Sequence, residues 1–159
     1  MNNPRAGLYA GSFDPYTLGH HAIVKKAAAL FDELWVMIAV NTQKKRSFDA
    51  TAMAEAIGET VRRDGLTNVR VVIHPGLIAD FCVEHGVHYY VRGLRNNMDY
   101  NYEENIAQIN HLINPDLESL YMRSDDPAIS SSMIRELLAF GKPVSAFVPE
   151  PVQRLIAGR

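Results

Sequence analysis

The residues best placed to do chemistry stand between Ala10 and His20, in the run Ala-Gly-Ser-Phe-Asp-Pro-Tyr-Thr-Leu-Gly-His. Gly11 lets the backbone approach a ligand closely, Ser12 supplies a hydroxyl, and Pro15 fixes a turn ahead of Thr17, Gly19 and His20. A helix beginning here places His20 in its first turn, beside N–H groups without intrahelical partners and the positive end of the helix dipole. An imidazole so placed suits an anion that gains charge in a transition state. Neither a GxGxxG fingerprint nor a GxxxxGK[ST] loop is present, so any phosphate bound here is held by a different device. The simpler alternative is a turn with an ordinary cap and a surface histidine.

Three further segments carry charge or hydroxyls. Gln43-Lys44-Lys45-Arg46 is the densest cationic run, although such a run alone also describes a solvated loop. Val91-Arg92-Gly93-Leu94-Arg95 precedes Asp99-Tyr100-Asn101-Tyr102-Glu103, and two arginines three apart can fork onto phosphate oxygens. A structural salt bridge explains one of those arginines more readily than both. Ile129-Ser130-Ser131-Ser132 leads to Arg135, and serines at a helix start are caps that can also offer hydroxyl and N–H groups to phosphate.

The elements that must position these groups follow from the hydrophobic pattern. Strands are expected at 5–10, 33–40, 69–73, 88–91 and 117–122, and helices at 19–31, 50–63, 78–85, 101–112, 131–140 and 152–157. Asp49 is a cap for the second helix, Gly65, Gly86 and Gly141 are stops, and Ile106, Ile109 and Leu112 form the inward face of the fourth. Strands alternating with helices predict an α/β fold: a five-stranded parallel sheet, doubly wound, with helices on both faces. No repeat or linker divides the chain, so residues 1–159 are expected to form one domain. Ligands of such sheets sit at the carboxyl ends of the strands, where each segment above falls.

Composition narrows the classes. With 159 residues, a net charge of −2 and 47% hydrophobic residues, the chain reads as an ordinary globular protein. The charge balance disfavours a general nucleic-acid binder, and no apolar run approaches the ~18 residues of a bilayer span. Met1-Asn2-Asn3-Pro4-Arg5 leads into no signal-peptide core, which predicts a cytoplasmic location. Cys82 is the single cysteine and reads as a small buried hydrophobe, so a disulfide or thiolate cluster within the chain is excluded. His21, His74, His85, His88 and His111 show no metal-ligand spacing, and Trp35 lies in an apolar strand as a core residue.

The segments together resemble a known family. Gly-Ser-Phe-Asp-Pro followed by Thr-x-Gly-His is similar to the signature of the nucleotidyltransferase superfamily, with Thr17 where many members carry a first histidine. Arg-Gly-Leu-Arg at 92–95, the Tyr-Glu pair at 102–103 and Ile-Ser-Ser-Ser at 129–132 resemble the phosphopantetheine adenylyltransferases from about Leu8 to Pro149. Leu18, Asn101 and the 125–128 loop depart from the family's usual pattern.

The resemblance implies a Rossmann-like fold and transfer of the adenylyl group of ATP to 4′-phosphopantetheine, giving dephospho-coenzyme A and pyrophosphate. It assigns His20, Lys44 and Ser12 to catalysis. Ser12, Lys44, Ile78 and Arg92 would meet the acceptor. Ser12, Phe13, His20, Gly93, Leu94, Arg95, Glu103, Ile129, Ser130, Ser131 and Ser132 would hold ATP. It further implies magnesium as the partner of ATP, a homo-oligomer (commonly a hexamer), and inhibition by coenzyme A. The rival readings are a nicotinate or nicotinamide mononucleotide adenylyltransferase and a catalytically silent nucleotide-binding homologue.

Overall fold

The computed structural model describes residues 4–95 and 97–158. Met1, Asn2 and Asn3, part of the N-terminal reading above, lie outside the described residues. Five strands, β1 (Ala6–Gly11), β2 (Glu33–Ala39), β3 (Val69–His74), β4 (Tyr89–Leu94) and β5 (Glu118–Arg123), form one sheet in the order β3-β2-β1-β4-β5. Every pairing is parallel. The helices are α1 (Leu18–Leu30), α2 (Ala50–Arg63), α3 (Ile78–His85), α4 (Asn97–Ile113), α5 (Ser131–Ala139) and α6 (Glu150–Ala157). The doubly wound expectation holds, strand for strand and helix for helix.

Alternation along the strands sends side chains to two apolar layers. Tyr9, Leu34, Val36, Ile38 and Val91 join Ile23 and Val24 of α1, Met53 and Ile57 of α2, Ile134 of α5 and Val152 of α6. Leu8, Ala10, Met37 and Tyr90 face the other way, onto Phe81 and Cys82 of α3. Burial pushes the Cys82 thiol up to about 12, which makes it inert packing. Trp35 belongs to this second layer as expected but is only partly buried; its outer face carries the Arg70 guanidinium, 5.4 Å from the ring centre. Among the described residues no helix is long and apolar enough to cross a membrane.

Local signals set the helix ends. The Asp49 carboxylate accepts from the Ala52 N–H at 2.9 Å to start α2, and Gly86 closes α3 in the left-handed region at φ 66°. Two expectations need correction. α4 begins at Asn97 rather than Asn101, and Ile109 and Leu112 face outward, 56% and 83% exposed. Their helical spacing is real, but the side of α4 that carries these two residues is turned away from both apolar layers. β4 also runs on to Leu94, so Arg92, Gly93 and Leu94 belong to the strand and not to the loop after it. Parallel pairing of Arg92, Gly93 and Leu94 with Tyr121, Met122 and Arg123 holds this polar stretch extended.

Candidate active site

The strand order reverses between β1 and β4, and there a cavity of about 380 Å³ opens at the carboxyl ends of the strands. Tyr9, Ala10 and Gly11 of β1, Arg92 and Gly93 of β4, His20 and Ile23 of α1, and Ile129 to Ser132 at the start of α5 line it. A smaller cavity of about 190 Å³ lies alongside, lined by Asn41, Lys44, Lys45 and Arg46. Ser12 and Arg135 line both.

His20 is built into the wall by its own helix start. Thr17 caps α1: its hydroxyl accepts from the His20 N–H, and its own N–H donates to His20 Nδ1 at 3.0 Å. A backbone N–H can only donate, so Nδ1 carries the lone pair and the neutral ring keeps its proton on Nε2. Burial, with the Arg95 charge as a smaller cause, holds the imidazole down at about 4. At neutral pH His20 is therefore an uncharged N–H donor. Two aromatic rings fix its plane. Phe13 meets it edge-on at 4.9 Å between centroids, and Tyr16 stacks at 5.7 Å with the planes 20° apart.

The loop from Ser12 to Pro15 is clamped from below. Phe13 takes a positive φ of 46°, which a non-glycine residue holds only when its surroundings enforce it. Arg46 supplies the enforcement, donating to the Ser12 carbonyl at 2.6 Å and the Phe13 carbonyl at 3.2 Å. The buried Asp14 carboxylate accepts from the Ser47 and Phe48 N–H groups, both at 2.8 Å, and its carbonyl accepts from Arg135 at 2.7 Å. Arg46 and Arg135, grouped with the ligand cations by sequence, thus hold the loop in place. No residue spacing could separate those two roles.

On the opposite wall, Arg92 donates through Nε and Nη2 to the two carboxylate oxygens of Glu103, and through Nη1 to the Ala10 carbonyl at 3.0 Å and the Tyr90 hydroxyl at 2.6 Å. Four of the five guanidinium donors are engaged within the protein. Arg95 pairs with Asp99 at 3.0 Å and is half exposed. Both arginines are therefore in salt bridges, where the sequence reading allowed for one. At the α5 start, the Ser130 hydroxyl accepts from the Met133 N–H and the Ser131 hydroxyl donates to the Pro15 carbonyl at 2.7 Å. These serines close the fold while lining the cavity.

Of the expected site residues, the larger cavity brings together Ser12, Phe13, His20, Arg92, Gly93, Arg95, Glu103, Ile129, Ser130, Ser131 and Ser132. Lys44 stands exposed in the adjoining cavity. Leu94 lines neither cavity, and Ile78 packs against the second apolar layer. Tyr9, Asp99 and Ser124 line the larger cavity without having been assigned to it, as does Arg135, which the sequence offered only as a cation beside the serine run; Asp99 was signalled only by its place four residues after Arg95.

The chain is similar to known proteins in sequence and in fold. A cytidylyltransferase-like family model matches residues 8–137. A phosphopantetheine adenylyltransferase of Lacticaseibacillus casei is 39% identical over 152 residues, covering 94% of this chain and 90% of the relative. The protein of that name from Streptococcus equi subsp. zooepidemicus is 41% identical over 151 residues, covering 93% and 90%. A crystal structure from Vibrio parahaemolyticus, whose assignment as a nicotinate-nucleotide adenylyltransferase is provisional, superposes with a TM-score of 0.75 at 16% identity, covering 98% of this chain and 93% of the other. That last likeness is one of fold alone.

Proposed function

The chain belongs to the cytidylyltransferase-like family and, within it, to the phosphopantetheine adenylyltransferases of coenzyme A biosynthesis, and on that premise we propose that it moves the adenylyl group of ATP onto 4′-phosphopantetheine, releasing pyrophosphate and giving dephospho-coenzyme A. The observation that carries this reading is the meeting of two cationic cavities at Ser12, where two phosphate-bearing ligands could be brought end to end.

The acceptor is itself a phosphate, largely ionised near neutral pH, so it requires neither a general base nor a covalent intermediate. Its oxygen forms the new bond to the α-phosphorus as the bond to the pyrophosphate oxygen breaks in line. The protein then has to align the groups and neutralise charge. In this reading the Nε2–H of His20 donates to the α-phosphate as charge accumulates. Ser12 and Lys44 bridge the reacting phosphates, and Arg92 with Ile78 orients the acceptor. Phe13, Gly93, Arg95, Glu103, Ile129, Ser130, Ser131 and Ser132, which line the larger cavity, hold ATP, and Leu94, outside both cavities, contributes through its place at the end of β4, between Gly93 and Arg95. Glu103 also fixes Arg92, a second duty that the ion pair supports.

Magnesium enters in this reading on the phosphate oxygens of ATP, as part of the substrate, keeping much of its water. Among the described residues no cluster of three or more His, Cys, Asp or Glu side chains is placed to cage an ion. Self-association is supported by the outward Ile109 and Leu112 of α4, and inhibition by coenzyme A by its sharing the acceptor's chemistry.

The test supplies ATP and magnesium with each acceptor in turn and measures pyrophosphate. Release with phosphopantetheine is expected. Release only with nicotinate or nicotinamide mononucleotide replaces the acceptor, and ATP binding without release from any of them marks a silent homologue.

A further inference from the structure

Behind His20 lies a buried polar chain that the adenylyl-transfer reading does not use. The Tyr16 hydroxyl bonds to His21 Nδ1 at 2.8 Å, and His21 Nε2 bonds to Asp64 Oδ2 at 2.5 Å. Tyr16 is fully buried and His21 nearly so, while Asp64 sits at the surface, just past the end of α2. The bond from His21 holds the Asp64 carboxyl below its ordinary range, so Asp64 is the acceptor and His21 carries its proton on Nε2. At the inner end Nδ1 bonds to the hydroxyl of Tyr16, whose phenol burial keeps well above its ordinary range. A phenylalanine and a leucine would fill the same space without burying polar atoms that require partners.

The chain ends on His20. The Thr17 N–H and hydroxyl both meet Nδ1, at 3.0 and 3.2 Å, and so tether one edge of the imidazole only, leaving the Nε2 edge free to rock about them. The Phe13 edge and the Tyr16 ring face, stacked at 20°, limit the rocking, and the Tyr16 ring is itself restrained through its hydroxyl. We propose that Tyr16, His21 and Asp64 are positioning residues that hold the His20 Nε2–H on the reacting phosphate. The proposal rests on the reading of His20 as the transition-state donor.

The test is a set of variants checked for retained thermal transitions and compared in kcat and KM. Tyr16→Phe and Asp64→Ala are each expected to lower kcat roughly tenfold with KM for both substrates changed less than about twofold, and the pair together no more than either alone, as for members of one network. Asp64→Asn still accepts from His21 and is expected to recover kcat to within about twofold of the parent. In a His20→Ala background, Tyr16→Phe is expected to change nothing further. Unchanged kcat in the single variants, additive losses, or an equal Tyr16→Phe loss without His20 overturns the proposal. Nitrogen-15 spectra of the histidines in the ligand-free protein give a reading independent of turnover: a sharp Nε2–H signal for His20 in the parent, and a shifted or broadened one in Asp64→Ala, where the Thr17 N–H keeps the tautomer but the ring plane is loosened. An identical His20 signal in both also overturns it. A parent that releases no pyrophosphate defeats the functional reading alone, and the spectra still decide the positioning.

Discussion

Arg92 and Glu103 form a two-pronged ion pair on the wall of the larger cavity, with the carboxylate gripping Nε and Nη2 while the Ala10 carbonyl and Tyr90 hydroxyl hold Nη1. Both side chains are largely buried, 21% and 9% exposed. The guanidinium is thus planar-locked before any ligand arrives, which lowers the ordering cost of binding a phosphate.

Removing the carboxylate strands a charge. Glu103→Ala is expected to lose about 3 kcal/mol of stability in urea unfolding, the scale for breaking a buried pair from one side. Glu103→Gln, which retains an acceptor, is expected to lose less. Equal losses for the two variants would mean that packing, not charge, is what Glu103 supplies.

His20→Ala is expected to fold normally and to lower kcat by about 10²–10³, the usual cost of removing one transition-state donor. The hydroxyl half of the Thr17 cap survives the change, because it accepts from the backbone of residue 20, while the Thr17 N–H loses its Nδ1 acceptor. A full rate in this variant removes His20 from the chemistry.

The same histidine predicts a pH dependence of stability. Its imidazole titrates near 6.5 when unfolded and at about 4 when folded. Between those values the unfolded chain binds the proton and the folded chain does not, so this contribution is complete above about 6.5, is lost as the pH falls toward 4, and levels off below. Comparing Tm of the parent and His20→Gln from pH 7.5 to 4 should show the parent losing more over that window. Parallel curves contradict the shifted imidazole.

Chelation separates two origins of a magnesium requirement. If the ion arrives with ATP, EDTA abolishes pyrophosphate release while leaving the Tm of the ligand-free protein unchanged. A drop in that Tm points instead to an ion held by the protein.

What was legible in the sequence was local. Asp49, Gly65 and Gly86 announce helix ends through their own side chains or backbone freedom, and α2 and α3 fall where the spacing puts them. Long-range relations were not. Arg92 meets Glu103 only because α4 folds back over β4, and Arg92-Gly93-Leu94 read as loop because polar residues in a strand need a partner strand to explain them. His21 and Asp64 lie 43 positions apart, and no spacing connects them. Ile109 and Leu112 failed for the opposite reason: their periodicity is sound, and the face it defines is outside.

Lys44 and Arg46 pose the same problem at closer range, since two cations two positions apart look interchangeable in the sequence. Arg46 spends its guanidinium on the carbonyls of Ser12, Phe13 and Phe48, so it holds Phe13 in its positive-φ conformation. Lys44 is exposed beside the smaller cavity. Arg46→Ala is therefore expected to cost about 2 kcal/mol through the carbonyls it abandons, and to lower activity in proportion to the displaced loop. Lys44→Ala is expected to leave stability within about 0.5 kcal/mol while lowering kcat by about 10²-fold as a lost phosphate contact. Unfolding curves and kcat measured on both variants decide the assignment. If Lys44→Ala keeps its rate and Arg46→Ala keeps its stability, the division of labour between the two cations is wrong.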